Sequence, residues 1–555
     1  MDAESVSFFS RLMRPKILVA IALMMLLGST ALLHAQPGEA SKPRLTGALL
    51  KRGEALFKKH CSSCHGARGS GDGPAAYLLN PKPRDISLGI FRLVSTDNVV
   101  ATDKDLFRVI SRGMPGSAMP PWGHLPARDR WALVYQVKKL ALEGEAELLL
   151  RSAEEEKKEM TREEALELAA PELGETIALP PKVEPTLESL MRGRQLYVAQ
   201  CSQCHDLDGR GRRRRDLVDD NDNPIFPRDF TEGIFKGGST SKDLAYRLLA
   251  GMPGTPMPAY ELAPDELWAI IHYVQSLIKP GAQQRVEQHR TSLVAKRVKD
   301  PLGPDPLSPV WKKAKPTYIA LMPLWWRHDR VEGVVVRALH NRSYLAIHLT
   351  WEDLTHDEDT LKQRAFSDAA AIQFSGSDDP PFFAMGSKKH AVNIWYWNAS
   401  RQRDFAAKYQ DIQNAFPNVV SDVYQSLWKP PYGRYSPVAE FATAQHDPTF
   451  LTGWGSGNYM SIPQSASSVE DLNARGFGTL TSQPLASQSV TGGPWWEKGF
   501  YEVVFVRPIA SGADGDVALK PGKTVSVAFA IWDGHAGDRD GQKSVTIWHR
   551  LTLEK

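Results

Sequence analysis

The pentapeptide C-x-x-C-H occurs twice, as CSSCH at residues 61–65 and as CSQCH at residues 201–205, and it uses all four cysteines of the chain. None remains for a structural disulfide, a free thiol or a separate metal site. Two cysteines three apart on a helical turn point the same way, and the histidine next along is turned to another side. That suits a flat ring held at its edge by two sulfurs, with iron above the imidazole. The pattern is that of c-type haem attachment. Cys61, Cys64, Cys201 and Cys204 are the expected thioether positions, and His65 and His205 the proximal iron ligands. Other readings fit less well. A shared zinc site would have to join pairs separated by 136 residues, whereas zinc pairs usually lie within about 20. A thioredoxin-type C-x-x-C expects a βαβ context. Two disulfides would leave the histidine after each pair without a role.

The pentapeptide belongs to a longer repeat. The first copy runs RGEALFKKHCSSCHGARGSGDG to RVISRGMPGSAMPPWGHLPARDRWALVYQVKKL, and the second RGRQLYVAQCSQCHDLDGRGRRRR to RLLAGMPGTPMPAYELAPDELWAIIHYVQSL. Each holds a short amphipathic helix, C-x-x-C-H, a loop, a helix, G-M-P-G-x-x-M-P and a closing amphipathic helix. From the second cysteine to the last Met of that motif is 55 residues in one copy and 53 in the other. Two all-α domains of one fold are expected, at 45–145 and 187–282. Met–His ligation of haem iron suits electron transfer, and each copy offers two methionines, Met114 and Met119, then Met252 and Met257. The four-arginine run Arg212–Arg215 reads as a solvated loop, with docking of an acidic partner or a haem propionate as the alternatives.

Both segments resemble the class I cytochrome c family. There the distal Met lies in G-x-P-M-P-like text before the last helix, and by that match Met119 and Met257 are the implied iron ligands. The resemblance implies two covalent haem c groups.

Between the repeats, residues 146–186 are charged, Glu-rich and end in prolines, which predicts a solvated helical linker with a stiffened exit. After about residue 290 the composition shifts: twelve of fifteen tryptophans fall between Trp311 and Trp548. Runs such as VEGVVVRAL, SYLAIHLTW, YEVVFVRP and TVSVAFAIWDG are β-branched and aromatic, bounded by Gly, Asp, Asn or Pro. They predict a mostly antiparallel β-sandwich over 305–555. The texts PPFFAMGSKKHAVNIWYWNA, WWEKGFYEVVFVRPI and VAFAIWDGHAGDRDGQKSVTIWHRLTLE resemble the haem b-binding domain of ethylbenzene dehydrogenase gamma subunits. Relatives of that domain serve molybdenum enzymes such as dimethyl sulfide dehydrogenase, chlorate reductase and nitrite oxidoreductase. The resemblance implies a non-covalent haem b held by a Met and a Lys. Met385, in FFAMG, is the implied Met, and Lys498, in WWEKGFYEV, the implied Lys. Two cytochrome c domains ahead of such a domain depart from the single-domain gamma subunits.

A length of 555 residues allows several domains. The net charge of +3 is too small to imply nucleic-acid binding by electrostatics. Residues 1–35 hold a basic flank (Arg11, Arg14, Lys16), the apolar run ILVAIALMMLLGSTALL and a small-residue cleavage site near Ala35, which reads as a signal peptide or a retained N-terminal membrane anchor. Either places the rest outside the cytoplasm, in the periplasm. The sequence holds no iron–sulfur cysteine run and no molybdopterin domain. The expectation is an exported electron-transfer subunit without its own catalytic site. Its expected partners are a periplasmic oxidoreductase, molybdenum-dependent by the resemblance, and a respiratory-chain cytochrome. The alternative is a dihaem cytochrome whose sandwich binds carbohydrate or protein.

Overall fold

Thr46 opens the first helix by accepting the Leu49 N–H on its hydroxyl, as N-cap residues do. In the computed structural model, which describes residues 41–360, 362–377, 380, 385–406, 418 and 467–555, this helix is α1, Gly47–His60. The expected signal or anchor at 1–35 lies outside those residues. Among the described residues no helix is long and apolar enough to cross a membrane.

The first repeat continues with α2, Asp103–Arg112, which begins with a reciprocal capping box between Thr102 and Asp105, and α3, Ala127–Glu155. The second provides α4, Leu187–Gln200, α5, Ser241–Leu249, and α6, Pro264–Ser276. In both repeats the first helix crosses the last at a glycine. A Cβ on Gly53 would sit 2.2 Å from the Ala132 carbonyl oxygen, and one on Gly193 would sit 2.0 Å from that of Ala269. No side chain fits between backbones this close. Around the crossings Phe57, Leu106, Trp131 and Leu133 fill one core, and Tyr197, Leu244, Leu267 and Trp268 the other.

The expected boundary at 145 falls inside a helix, and the segment expected as a solvated helical linker packs against the first domain. Helix α3 runs on to Glu155, and a short helix at Arg162–Leu168 folds back on it through Ala146, Ala165 and Ala169. Ile177 then donates its N–H to the Ser95 carbonyl at 2.9 Å. The charged text is a brace on the first domain, because small alanines on one face of its helices give it a surface to bury.

The C-terminal part is the expected mostly antiparallel sandwich. Its strands are β1 Ser292–Arg297, β2 Thr317–Ala320, β3 Met322–Pro323, β4 Gly333–His340, β5 Tyr344–Glu352, β6 Ala369–Ser375 and β7 Val392–Asn398. They continue as β8 Val469–Ala474, β9 Thr481–Ser482, β10 Thr491–Glu497, β11 Phe500–Pro508, β12 Thr524–Trp532, β13 Ser544–Val545 and β14 His549–Leu553. One layer runs β10-β11-β5-β4 and the other β14-β12-β6-β7-β8-β9. Strand β1 joins the layers, lying parallel to both β4 and β14. Alternation along the strands sends Trp351, Phe374, Trp395, Trp397, Phe505 and Phe529 into the shared core.

Salt bridges tie the helical domains together, Arg84 to Asp220 at 2.7 Å and Arg92 to Asp219 at 2.5 Å, with Arg108 also paired to Asp243. The sandwich grips both. The Trp326 N–H donates to the Asn80 carbonyl at 2.7 Å, and Arg330 pairs with Glu232 at 2.9 Å.

Candidate functional site

In each repeat the first helix ends at the first cysteine, whose N–H donates 2.8 Å to the carbonyl of Phe57 or Tyr197. One further turn, Ser62–His65 or Ser202–His205, carries the second cysteine and the histidine. The His65 Nδ1 lies 2.9 Å from the Arg84 carbonyl oxygen, and the His205 Nδ1 3.4 Å from that of Arg228. A carbonyl facing Nδ1 selects the tautomer whose Nε2 is a free lone pair, the one that binds iron. Burial lowers the pKa of both imidazoles, that of His205 to about 4, and so keeps them neutral. Burial also pushes the thiol of Cys61 up to about 12 and those of Cys64 and Cys201 to about 11.

Each C-x-x-C-H faces a cleft. The first holds about 820 Å³ of empty space, its open mouth included, and is lined by Cys61, Cys64, His65, Met114, Met119 and Trp122. The second holds about 1260 Å³ on the same measure, with Cys201, Cys204, His205, Met252 and Met257 at its walls. The Met motif folds back on itself: Met114 N–H donates to the Met119 carbonyl at 3.0 Å, and Met252 N–H to that of Met257 at 3.1 Å. Gly113 permits the turn at φ +70°, because a Cβ there would lie 2.6 Å from the Met119 oxygen. Both methionines of each motif reach the cleft wall. Two thiols and an imidazole on one side, and thioethers on another, are a donor set that fits haem c.

Four basic residues at these clefts escaped the sequence reading, although a signal for them was present. PRDISLGIFR at 83–92 and PRDFTEGIFK at 227–236 share six of ten positions. Arg84 and Arg228 are matched in them, as are Arg92 and Lys236. Arg84 and Arg92 line the first cleft, Arg228 the second, and Lys236 lines both. The Arg212–Arg215 run instead pairs mostly with nearby acids, including Arg214 with Asp216 at 2.7 Å.

The sandwich offers a third surface. On the outer face of the β14 layer, Ala369 and Ala371 of β6 lie beside Ala528 and Ala530 of β12, while their neighbours Ala370 and Ile372 point into the core. The four alanines make a small-residue apolar layer beneath the side chains of one apolar cluster, with Gln373 on the same face opposite Ala528. Trp532, Tyr396 and Trp548 stand around it. Met385 packs against this cluster from the β8 side, where its carbonyl accepts the Gly476 N–H at 2.7 Å. It holds φ +54°, a strained conformation for a side-chain-bearing residue. Lys498 is not brought to it. That lysine caps the β10–β11 hairpin in the other layer, with its side chain 69 % exposed and paired to Glu497 at 2.8 Å. The lysine at the Met385 cluster is Lys543, beside β13. Its Nζ lies 4.6 Å from the Trp532 ring centroid and donates 3.0 Å to the Asp540 carbonyl. Desolvation lowers its pKa to about 8, toward the neutral amine that a metal needs. Met385 and Lys543 thus both border this one apolar cluster, Lys543 through Trp532.

Three family models match the chain: cytochrome c oxidase, cbb3-type, subunit III over residues 48–135, cytochrome c over 190–277, and ethylbenzene dehydrogenase over 308–544. The chain is two cytochrome c domains joined to an ethylbenzene dehydrogenase-type domain. This cytochrome c–ethylbenzene dehydrogenase-type chain is similar to chlorate reductase subunit gamma of Ideonella dechloratans, 27 % identical over 271 residues, covering 46 % of this chain and 83 % of that one. It is also similar to dimethylsulfide dehydrogenase subunit gamma of Rhodovulum sulfidophilum, 28 % identical over 223 residues, 39 % of this chain and 58 % of that one. Among solved structures, a chain of the Kuenenia stuttgartiensis reducing HAO-like protein complex is 32 % identical, with a TM-score of 0.36, covering 43 % of this chain and all of that one.

Proposed function

We propose that this chain is an exported electron relay with two covalent c haems and one non-covalent haem b. It passes electrons between a periplasmic oxidoreductase, of the class that gamma subunits serve, and a respiratory acceptor. The observation that carries the reading is the placing of both C-x-x-C-H clefts and the alanine layer in one compact unit, residues 45–555. Haem iron supplies reversible one-electron chemistry when bound. The chain's part is to anchor, orient and desolvate. Cys61 and Cys64, and Cys201 and Cys204, hold the c haems. His65 and His205 present Nε2, with Met119 and Met257 as the opposing thioethers. Met385 would hold the haem b, and Lys543, rather than Lys498, is the lysine at the same cluster that could join it.

The test is haem stoichiometry. The full chain is expressed in a host that matures c-type cytochromes, and covalent haem is separated from acid-acetone-extractable haem by pyridine haemochrome spectra. Two covalent haems and one extractable haem b per chain are expected. Two covalent haems with none extractable, from haem-supplied folded protein, would overturn the third site and leave the sandwich as a carbohydrate- or protein-binding module.

A further inference from the structure

Four half-buried cations, Arg84, Arg92, Arg228 and Lys236, gather where the two cytochrome domains meet. Arg84 and Arg92 are paired, with Asp220 and Asp219. Arg228 and Lys236 have no ion pair among the described residues. Arg228 donates Nη2 to the Gly116 carbonyl at 2.9 Å, and its Nε is buried without a partner, as is that of Arg92. Arg247 spends its guanidinium on the carbonyls of Arg92, at 3.1 Å, and Val94. A half-buried cation without an ion pair, and a guanidinium Nε with no partner, are costly to hold, and an anion arriving in the clefts would offset that cost.

Both clefts open on the cluster. Lys236 comes from the second domain, yet it lines the first domain's cleft beside Cys64 and His65 as well as its own. Its counterpart Arg92 lines only the first. Each haem carries two propionate carboxylates, which are anions of the right class to balance such a cluster. On the haem c reading of the clefts, we propose that Lys236 is a shared positioning residue for the propionates of both c haems, so that one cation sets the electrostatics of both redox centres. Burial and the neighbouring Arg228 and Arg92 disfavour its charged form in the absence of such anions, in keeping with a side chain that completes its environment only when carboxylates arrive.

A cation near a haem stabilises the reduced, more electron-rich state. Removing a shared cation therefore lowers two midpoint potentials at once, and removing an unshared one lowers a single potential. The experiment is an optical and EPR-monitored redox titration of the full chain carrying Lys236→Gln, with covalent haem counted independently by pyridine haemochrome. Lys236→Met, which keeps the volume, is the second variant. Lys236→Arg is the charge-retaining rescue, and the exposed Lys279→Gln the control. With both covalent haems in place, both c-haem midpoints are expected to fall in the Gln and Met chains, to recover toward wild type in the Arg chain, and to stay put in the control. A shift in one midpoint alone would overturn the sharing, and a shift in neither would remove Lys236 from the propionates. A wild-type chain without covalent haem would overturn the haem c reading itself, an outcome separate from these.

Discussion

The guanidinium carbon of Arg228 lies 4.4 Å from the ring centroid of Trp326, joining the second cytochrome domain to the sandwich. Arg330 lies 4.3 Å from the same ring, and the Trp326 backbone is bonded to Asn80 of the first domain. One buried tryptophan therefore touches all three domains. Each desolvated cation–π contact contributes about 0.5–2 kcal/mol, and truncating a buried Trp costs about 3–5 kcal/mol. Trp326→Ala is expected to uncouple the domains, splitting one calorimetric unfolding transition into separate ones. A single transition at the wild-type temperature would refute the joint.

The helix crossings predict a second outcome. A Cβ at Gly193 has no room beside the Ala269 carbonyl. Gly193→Ala is expected to force α4 and α6 apart at about 1–3 kcal/mol, as overpacking does. Chemical denaturation of the holoprotein reads it. Gly47→Ala, where nothing lies within 4 Å, is the neutral comparison.

For the third site, the two lysines make opposite predictions. Lys543→Ala should abolish or spectrally alter the extractable haem while leaving covalent haem at wild-type content. Lys498→Ala should change neither. Equal retention of haem b in both variants would exclude Lys543 as its ligand.

The sandwich also holds a pH-sensitive group. Asp353, Asp368 and Asp533 bring one carboxylate oxygen each within 4.8 Å of one another. Burial first, and then the Asp353 charge, raises Asp368 to about 8, while burial and Asp533 raise Asp353 to about 6. Below about pH 4 both are protonated whether folded or not, and their contribution is fully present. As pH rises through 6 and 8 the folded protein must give up protons that the unfolded chain lost earlier, so stability falls. Melting temperature should decline from pH 5 to pH 8. Asp353→Asn should flatten the decline by removing one like charge. A wild-type profile without slope in that window would refute the pairing.

The C-x-x-C-H turns and the Met motifs were legible because their geometry is written locally. C-x-x-C-H needs one helical turn, and the Met motif one tight loop, so residue order nearly fixes geometry. The sandwich was legible for a related reason: the β-branched and aromatic runs VEGVVVRAL, SYLAIHLTW, YEVVFVRP and TVSVAFAIWDG, each ended by turn residues, form β4, β5, β11 and β12. Lys543 was not legible. It sits in the polar turn GDRDGQKS, and only the pairing of β13 with β12 and β3 carries it to the Met385 cluster. Lys498 looked better in text because it precedes a strong strand, but that strand belongs to the other layer. The shared charge cluster was half legible. PRD-x-x-x-GIF followed by Arg or Lys repeats in the sequence, but that Lys236 reaches the other repeat's cleft depends on how the two domains dock.

The seam strand β1 has a consequence for the order of assembly. It directly follows the second cytochrome domain, yet its partner on one side is β14, with Leu293 aligned to Leu551 and Ala295 to Leu553. During synthesis the first strand of the sandwich must wait for the last, holding one edge open while everything between them is made. Until that last strand docks, the β1 edge is an unpaired pairing surface of the kind that invites wrong partners.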